Sequence, residues 1–282
     1  MPGAAVTPAT TAWTLGPALL FCPADRPDRF AKAAERADAV ILDLEDAVAP
    51  EAKAAAREAL AASTLDPDRT IVRVDAVGSR WFDDDVAALA ATGYRTVMLA
   101  KASSAEDVAA VRRRGPWDVV ALVETAAGVV AAPSIAAADG VVALMWGAED
   151  LVASLGGTSS RHDGGTYRDV ARLARASILL AAGAHGRAAI DAVHLDIGDA
   201  DGLAAEAADA RASGFAATAC IHPSQVAVVR AAYRPTEAEV DRARRLLEAA
   251  AGLEGVFRWE GQMVDGPVLR HAERVLRDAG QG

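Results

Sequence analysis

Acidic residues close several short apolar runs of this chain, and an arginine and a lysine stand among them. Asp43-Leu44-Glu45-Asp46 follows Val40-Ile41-Leu42, Glu124-Thr125 follows Leu122-Val123, and Gly147-Ala148-Glu149-Asp150 follows Met145-Trp146. Arg73 and Asp75 flank the end of a fourth run, and Lys101 follows a fifth. Two converging carboxylates, Glu124 and Asp150, with few histidines nearby, suit a hard cation. Mg²⁺ takes one or two protein carboxylates and completes its shell with water and substrate oxygens, and Mn²⁺ accepts the same donors. Arg73 can grip a substrate carboxylate through two parallel contacts, and Glu45 and Asp46 are catalytic candidates beside it. Gly147 lets backbone approach a ligand, and the turn through Ala148 aims N–H groups at an anion. Together these residues describe a site for a small oxo- or hydroxy-acid chelated to a divalent metal.

Blander uses compete with this reading. Asp46 or Glu149 taken alone serves equally well as a helix N-cap. The run Asp83-Asp84-Asp85 reads as a solvated helix start, where acids suit the dipole. Lys101 either forms a Schiff base or pairs with carboxylates, and the pattern favours the pair. None of His162, His185, His194, His222 and His271 has a metal-binding helical spacing with a partner. Cys22 and Cys220 stand far apart and read as small core residues, which suits a reducing, cytoplasmic compartment.

The elements that must position these groups are legible as alternation. Apolar runs at Ala18–Cys22, Ala39–Leu44, Thr70–Val74, Thr96–Ala100, Val119–Val123, Val141–Trp146, Ala188–Val193 and Phe215–Cys220 are short and rich in Val, Ile and Leu. That is the pattern of parallel strands covered on both faces. Amphipathic, Ala-rich stretches separate them, at Pro27–Arg36, Pro50–Ala62, Asp83–Ala91, Ser104–Arg114, Tyr167–Ala182, Asp199–Ala212 and Pro223–Ala232. Eight such units predict an α/β fold, a (β/α)8 TIM barrel over residues 18–234 after a leader at 1–17. An open doubly wound sheet is the alternative, but no Gly-rich phosphate fingerprint follows the first strand. Residues 235–282 predict a C-terminal helical arm, with helices at Glu237–Ala251 and Pro267–Ala279 around a turn-rich stretch. This arm is expected to pack on the barrel or on a neighbouring subunit. In a TIM barrel the acids named above fall at the C-terminal strand ends, where active sites lie.

With 282 residues, 52% of them hydrophobic, the chain can bury a large core, which excludes disorder. A net charge of −10 argues against nucleic acid or an anionic membrane as partner. Met1–Thr14 lacks a basic stretch followed by an apolar core, so no signal peptide is expected. No uncharged apolar run reaches the roughly 18 residues of a membrane span. Only three residues are lysines, Lys32, Lys53 and Lys101, which gives each some weight.

Seven blocks carry a family resemblance in register. They are Phe21-Cys22-Pro23-Ala24-Asp25-Arg26-Pro27 with Lys32, Val40 to Val48, Arg73-Val74, Leu122 to Gly128, Gly147 to Leu151, Cys220 to Gln225, and Met263-Val264-Asp265-Gly266-Pro267. The chain resembles citrate lyase β-subunit-like proteins of the HpcH/HpaI aldolase and citrate lyase family, which includes malyl-CoA and citramalyl-CoA lyases. The resemblance implies Mg²⁺ on Glu124 and Asp150, a CoA thioester as substrate, and Arg73 on the 2-oxo acid. It places Arg26 and Lys32 near the CoA phosphates. It also implies a homo-oligomer, a trimer or hexamer, in which Asp265 reaches a neighbour's site as acid/base. The activity implied is cleavage of a 3-hydroxyacyl-CoA to an acyl-CoA and a 2-oxo acid, or the reverse. The alternatives are a β subunit working on acyl-carrier-protein thioesters in a citrate lyase complex, a malyl-CoA thioesterase, and a CoA-independent pyruvate-type class II aldolase. That last branch usually carries His at the position of Asp46, so the aspartate favours the CoA branch. Asp75 stands where many relatives carry Asn, and is expected to add a negative charge close to Arg73.

Overall fold

The structure, a computed structural model, describes residues 13–253 and 255–280; the first twelve residues of the expected leader lie outside them. Eight parallel strands close a barrel in chain order: β1 (Ala18–Pro23), β2 (Ala39–Asp43), β3 (Thr70–Val74), β4 (Thr96–Leu99), β5 (Asp118–Val123), β6 (Val141–Trp146), β7 (Ala188–Asp191) and β8 (Ala217–Cys220). Each lies within two residues of its expected bounds. Closure is direct, with Leu20 of β1 opposite Cys220 of β8. The doubly wound alternative is therefore excluded.

The barrel interior follows from the two-residue period of a strand. Leu19, Ile41, Ile71, Met98, Leu122, Met145, Ile190 and Ala219, one from each strand, belong to a single buried cluster. Advancing each by two positions toward the C-terminal end gives Phe21, Asp43, Arg73, Ala100, Glu124, Gly147, Ala192 and Ile221. The same inward parity that builds the core thus places an arginine and two acids in the layer above it.

Helices α1 (Phe30–Arg36), α2 (Lys53–Ala61), α3 (Phe82–Ala90), α4 (Ala105–Arg112), α5 (Ala126–Ala137), α6 (Ala148–Ser154), α7 (Asp169–Ala184), α8 (Ala200–Ser213) and α9 (Pro223–Tyr233) connect or follow the strands. The sequence reading has no counterpart for α5. Its residues are nearly all small or apolar, Pro133 sits inside it, and no polar stripe marks a helical period. Thr125 nevertheless starts it as N-cap, its hydroxyl accepting from the Gly128 N–H at 3.0 Å.

Residues 230–282 form a second compact unit, which begins inside α9. It contains α10 (Glu237–Ala250), a hairpin of β9 (Phe257–Trp259) and β10 (Gln262–Val264), and α11 (Gly266–Asp278). Val240, Ala243, Leu246, Val264, Ala272 and Val275 make its core. A capping box at Thr236 and Glu239 opens α10. The hairpin occupies the stretch read from sequence as turn-rich. Its two-residue turn, Glu260-Gly261, has φ of 45° and 79°, as a type I′ turn requires. Arg242 and Arg245 each hold the Glu260 carboxylate at 2.7 Å, fixing a non-glycine residue in that conformation.

Candidate active site

Arg73 rises from β3 and is locked before any ligand is considered. Its Nε and Nη2 donate to the two Asp43 oxygens at 2.7 and 2.6 Å, and Nη1 lies 3.0 Å from Glu45 Oε2. The guanidinium carbon sits 4.9 Å from the Phe21 ring centroid. Burial works against its charge, but Asp43 and Glu45 more than offset that and hold it firmly cationic. These contacts engage only part of a group with five N–H donors. Asp43, to which the sequence pattern alone assigns no role, is its anchor. The i, i+2 spacing from Ile41 is the signal that could have found it.

Glu124 directly follows β5, and Asp150 stands in the first turn of α6, which follows the neighbouring strand β6. Glu124 is buried, and burial, then the Asp150 charge, push its carboxyl up to about 8 despite Arg73 and Lys101. A buried acid that feels a second acid's charge in this way fits a hard divalent cation. Among the described residues no group of three or more His, Cys, Asp or Glu is placed to hold a metal. A cation here would therefore take two protein carboxylates and draw its other oxygens from water and substrate, as Mg²⁺ commonly does.

Gly147 has a role beyond approach to a ligand. Its φ of −125° suits any residue, yet an added Cβ would lie 2.6 Å from Glu124 Oε2 and 2.9 Å from Glu124 Cβ. Gly147→Ala should keep the fold and displace Glu124. We expect Mg²⁺ affinity, measured by calorimetry, to drop about 10- to 100-fold, the range for residues that support a metal ligand. Unchanged affinity would show that Glu124 tolerates the intrusion.

Lys101, at the end of β4, pairs with acids as the bland reading holds. Its Nζ bonds Glu45 Oε1, lies 3.1 Å from Asp46 Oδ2 and 3.4 Å from Asp150 Oδ1. Burial raises Glu45, and Arg73 and Lys101 only partly offset it. Asp46 is more exposed; burial pushes it up as well, but the Lys101 hydrogen bond and charge bring it below the ordinary value.

Two expectations need correction. Asp75 is not a charge set against Arg73. Its Oδ2 accepts from Lys53 Nζ at 2.7 Å, and the same ammonium donates to the Leu44 and Glu45 carbonyls. Lys53 thereby pins the segment that carries Glu45 and Asp46. Nor is Asp85 solvated: it is fully buried, accepting from Arg57 Nε at 2.7 Å and from the Asp75 N–H at 3.1 Å. Burial, then the neighbouring Asp75, push it up to about 7. The cause of both corrections is the same, since α2 brings Lys53 and Arg57 to acids distant in sequence.

A cavity of about 270 Å³ at this end of the barrel is lined by residues that include Asp46, Arg73, Glu124, Gly147, Ala148 and Asp150. Six expected site residues therefore meet around one space, and Glu45 supports it through Arg73 and Lys101. Arg26 and Lys32 do not line it. Arg26 is exposed and paired with Asp28 at 3.1 Å, and Lys32 is exposed on α1. Asp265 lies in the C-terminal unit, where it caps α11 by accepting from the Val268 N–H. Cys22 and Cys220 are buried and form no disulfide, and burial pushes Cys22 up to about 11, as befits core residues.

A closed barrel whose rim gathers two metal-suited acids and a locked arginine is the architecture of a barrel enzyme, and comparison with known proteins makes it a lyase. The HpcH/HpaI aldolase/citrate lyase profile matches residues 18–223. A citrate lyase subunit beta-like protein of Mycobacterium tuberculosis is 60% identical over 266 residues, covering 94% of this chain and 96% of its own. The L-malyl-CoA/beta-methylmalyl-CoA lyase of Cereibacter sphaeroides is 34% identical, with 92% and 93% covered. The crystal structure of CitE from M. tuberculosis in complex with magnesium, acetoacetate and coenzyme A superposes with a TM-score of 0.91 at 60% identity, covering 94% of this chain and 98% of that one. The chain belongs to the HpcH/HpaI aldolase/citrate lyase family of carbon–carbon lyases.

Proposed function

We propose that the protein cleaves, reversibly, the carbon–carbon bond of a 3-hydroxyacyl-CoA such as malyl-CoA or citramalyl-CoA, giving an acyl-CoA and a 2-oxo acid. The observation that carries this reading is the sharing of one small cavity by Arg73, Glu124 and Asp150. It is a space for a short acid, with a cation for the carboxylate and acids for a metal. A divalent ion on Glu124 and Asp150, Mg²⁺ or Mn²⁺, would supply Lewis-acid polarisation of the substrate oxygen. Arg73, held rigid by Asp43 and Glu45, orients the carboxylate and needs no rearrangement as charge develops. Arg26 and Lys32 meet the CoA phosphates, Arg26 by turning from Asp28. Asp265, carried by the C-terminal arm of a neighbouring subunit in a homo-oligomer, takes a proton from the carbon beside the thioester during condensation and returns one during cleavage. Two cysteines outside any disulfide suit a cytoplasmic setting. Among the described residues, no helix is long and apolar enough to cross a membrane.

The deciding experiment is a Mg²⁺-dependent cleavage assay over malyl-, methylmalyl- and citramalyl-CoA, with citrate and pyruvate aldol products as controls. Release of acyl-CoA and an oxo acid supports the proposal. Hydrolysis to free CoA alone, or activity confined to CoA-free aldols or carrier-protein thioesters, replaces it with one of the alternatives. Asp265→Asn should leave metal binding intact and lower turnover by about 10²- to 10⁴-fold, the usual contribution of a general acid/base. Normal turnover would remove Asp265 from the mechanism.

A further inference from the structure

Lys101 has no part in the reaction as proposed, yet it reaches four acids at this end of the barrel. Its backbone is left-handed, with φ of 52°, an uncommon conformation for a long side chain. This bend sends two groups of one residue toward different partners. The N–H donates to Glu124 Oε1 at 3.1 Å, while Nζ bonds Glu45 and Asp46 and lies 3.4 Å from Asp150 Oδ1. The ammonium stays firmly protonated: burial opposes its charge, and Glu45 more than offsets the burial. Three carboxylates surround this ammonium, the paired arrangement that the sequence pattern favours over a Schiff base.

Among the described residues no three acids are placed to hold one ion, and Arg73 already holds the other oxygen of Glu45. Lys101 therefore bears on a cation through its own charge and through Asp150, the one expected metal ligand its ammonium approaches. Lys101 ties up the β2 pair, Glu45 and Asp46, and competes for Asp150.

We propose that Lys101 is the internal counter-cation of the metal centre, a positioning residue that shares Asp150 with the divalent ion. It thereby weakens metal binding. The inference rests on the reading of Glu124 and Asp150 as metal ligands.

The test is calorimetric titration of the full chain with Mg²⁺. Lys101→Met should tighten Mg²⁺ binding by about tenfold, while Lys101→Arg, which keeps the charge, stays within about threefold of wild type. A residue that merely braced the site would give the opposite sign, since its loss would loosen the acids. Lys101→Asn, better suited to a left-handed backbone, provides a second uncharged variant should the methionine variant misfold, and it should tighten binding in the same way. Unchanged or weaker Mg²⁺ binding in a folded uncharged variant overturns the proposal. If wild type itself shows no Mg²⁺ binding that Glu124→Gln abolishes, the metal assignment fails first and the proposal falls with it.

Discussion

Glu124→Gln is expected to weaken Mg²⁺ binding by more than about 100-fold, beyond the range that supporting residues command, and to take cleavage activity with it. The substitution is nearly isosteric, and its amide oxygen can still accept the Lys101 N–H, so what it removes is the charge. Its pH signature makes the prediction specific. Glu124 titrates near 8 instead of 4.5 because burial and Asp150 disfavour its anion. Protons should therefore compete with metal below about pH 8, with wild-type affinity falling up to tenfold for each pH unit lost. The glutamine variant should lose this dependence. Stability responds in the other direction. A raised carboxyl pKa favours the protonated folded state, so its contribution is complete below 4.5 and lost as pH climbs through 8. Glutamine carries no such liability. In chelator at pH 9 the variant should melt above wild type, while gaining nothing from added Mg²⁺. A variant that melts lower under those conditions would show that Glu124 is not the strained group.

Arg73 carries the second large effect, and two substitutions separate its roles. Arg73→Met leaves Asp43 and Glu45, both buried, without their shared cation. Breaking a buried pair in this way costs about 3–5 kcal/mol, on the order of 10 °C in melting temperature for a barrel of this size. Arg73→Lys keeps a charge but loses the planar fork that meets both Asp43 oxygens. Its fold should survive with a smaller loss, while kcat/KM drops by about 10²- to 10³-fold, the scale for a misplaced electrostatic group. Thermal melts and kinetics on the two variants check both halves. Near-normal kinetics in the lysine variant would mean that the fork serves only Asp43.

The strands and their C-terminal ends were legible because a two-residue period carries both the core and the site. Ile41 to Asp43, Ile71 to Arg73 and Leu122 to Glu124 are each one step of that period. What escaped depends on packing between distant segments. Nothing local marks Lys53 as buried or Asp85 as different from the solvated Asp84, because their partners arrive on other elements. Helix α5 escaped for want of a polar face, and the β9–β10 hairpin because its turn begins with Glu260, held left-handed by arginines from another helix. Lys101 was noticed for its rarity, but its reach to four acids depends on a backbone angle that residue type does not announce.

The Lys53–Asp75 pair sets a rule for anyone exchanging parts between this protein and its relatives. An asparagine grafted at 75 would strand a buried ammonium beside the Leu44 and Glu45 carbonyls, and the neighbouring Asp85–Arg57 contact would feel the change through the Asp75 N–H. The two positions therefore behave as one heritable unit. A chimera with its junction between β2 and β3 should inherit both from a single parent, or repair the mismatch with a neutral residue at 53.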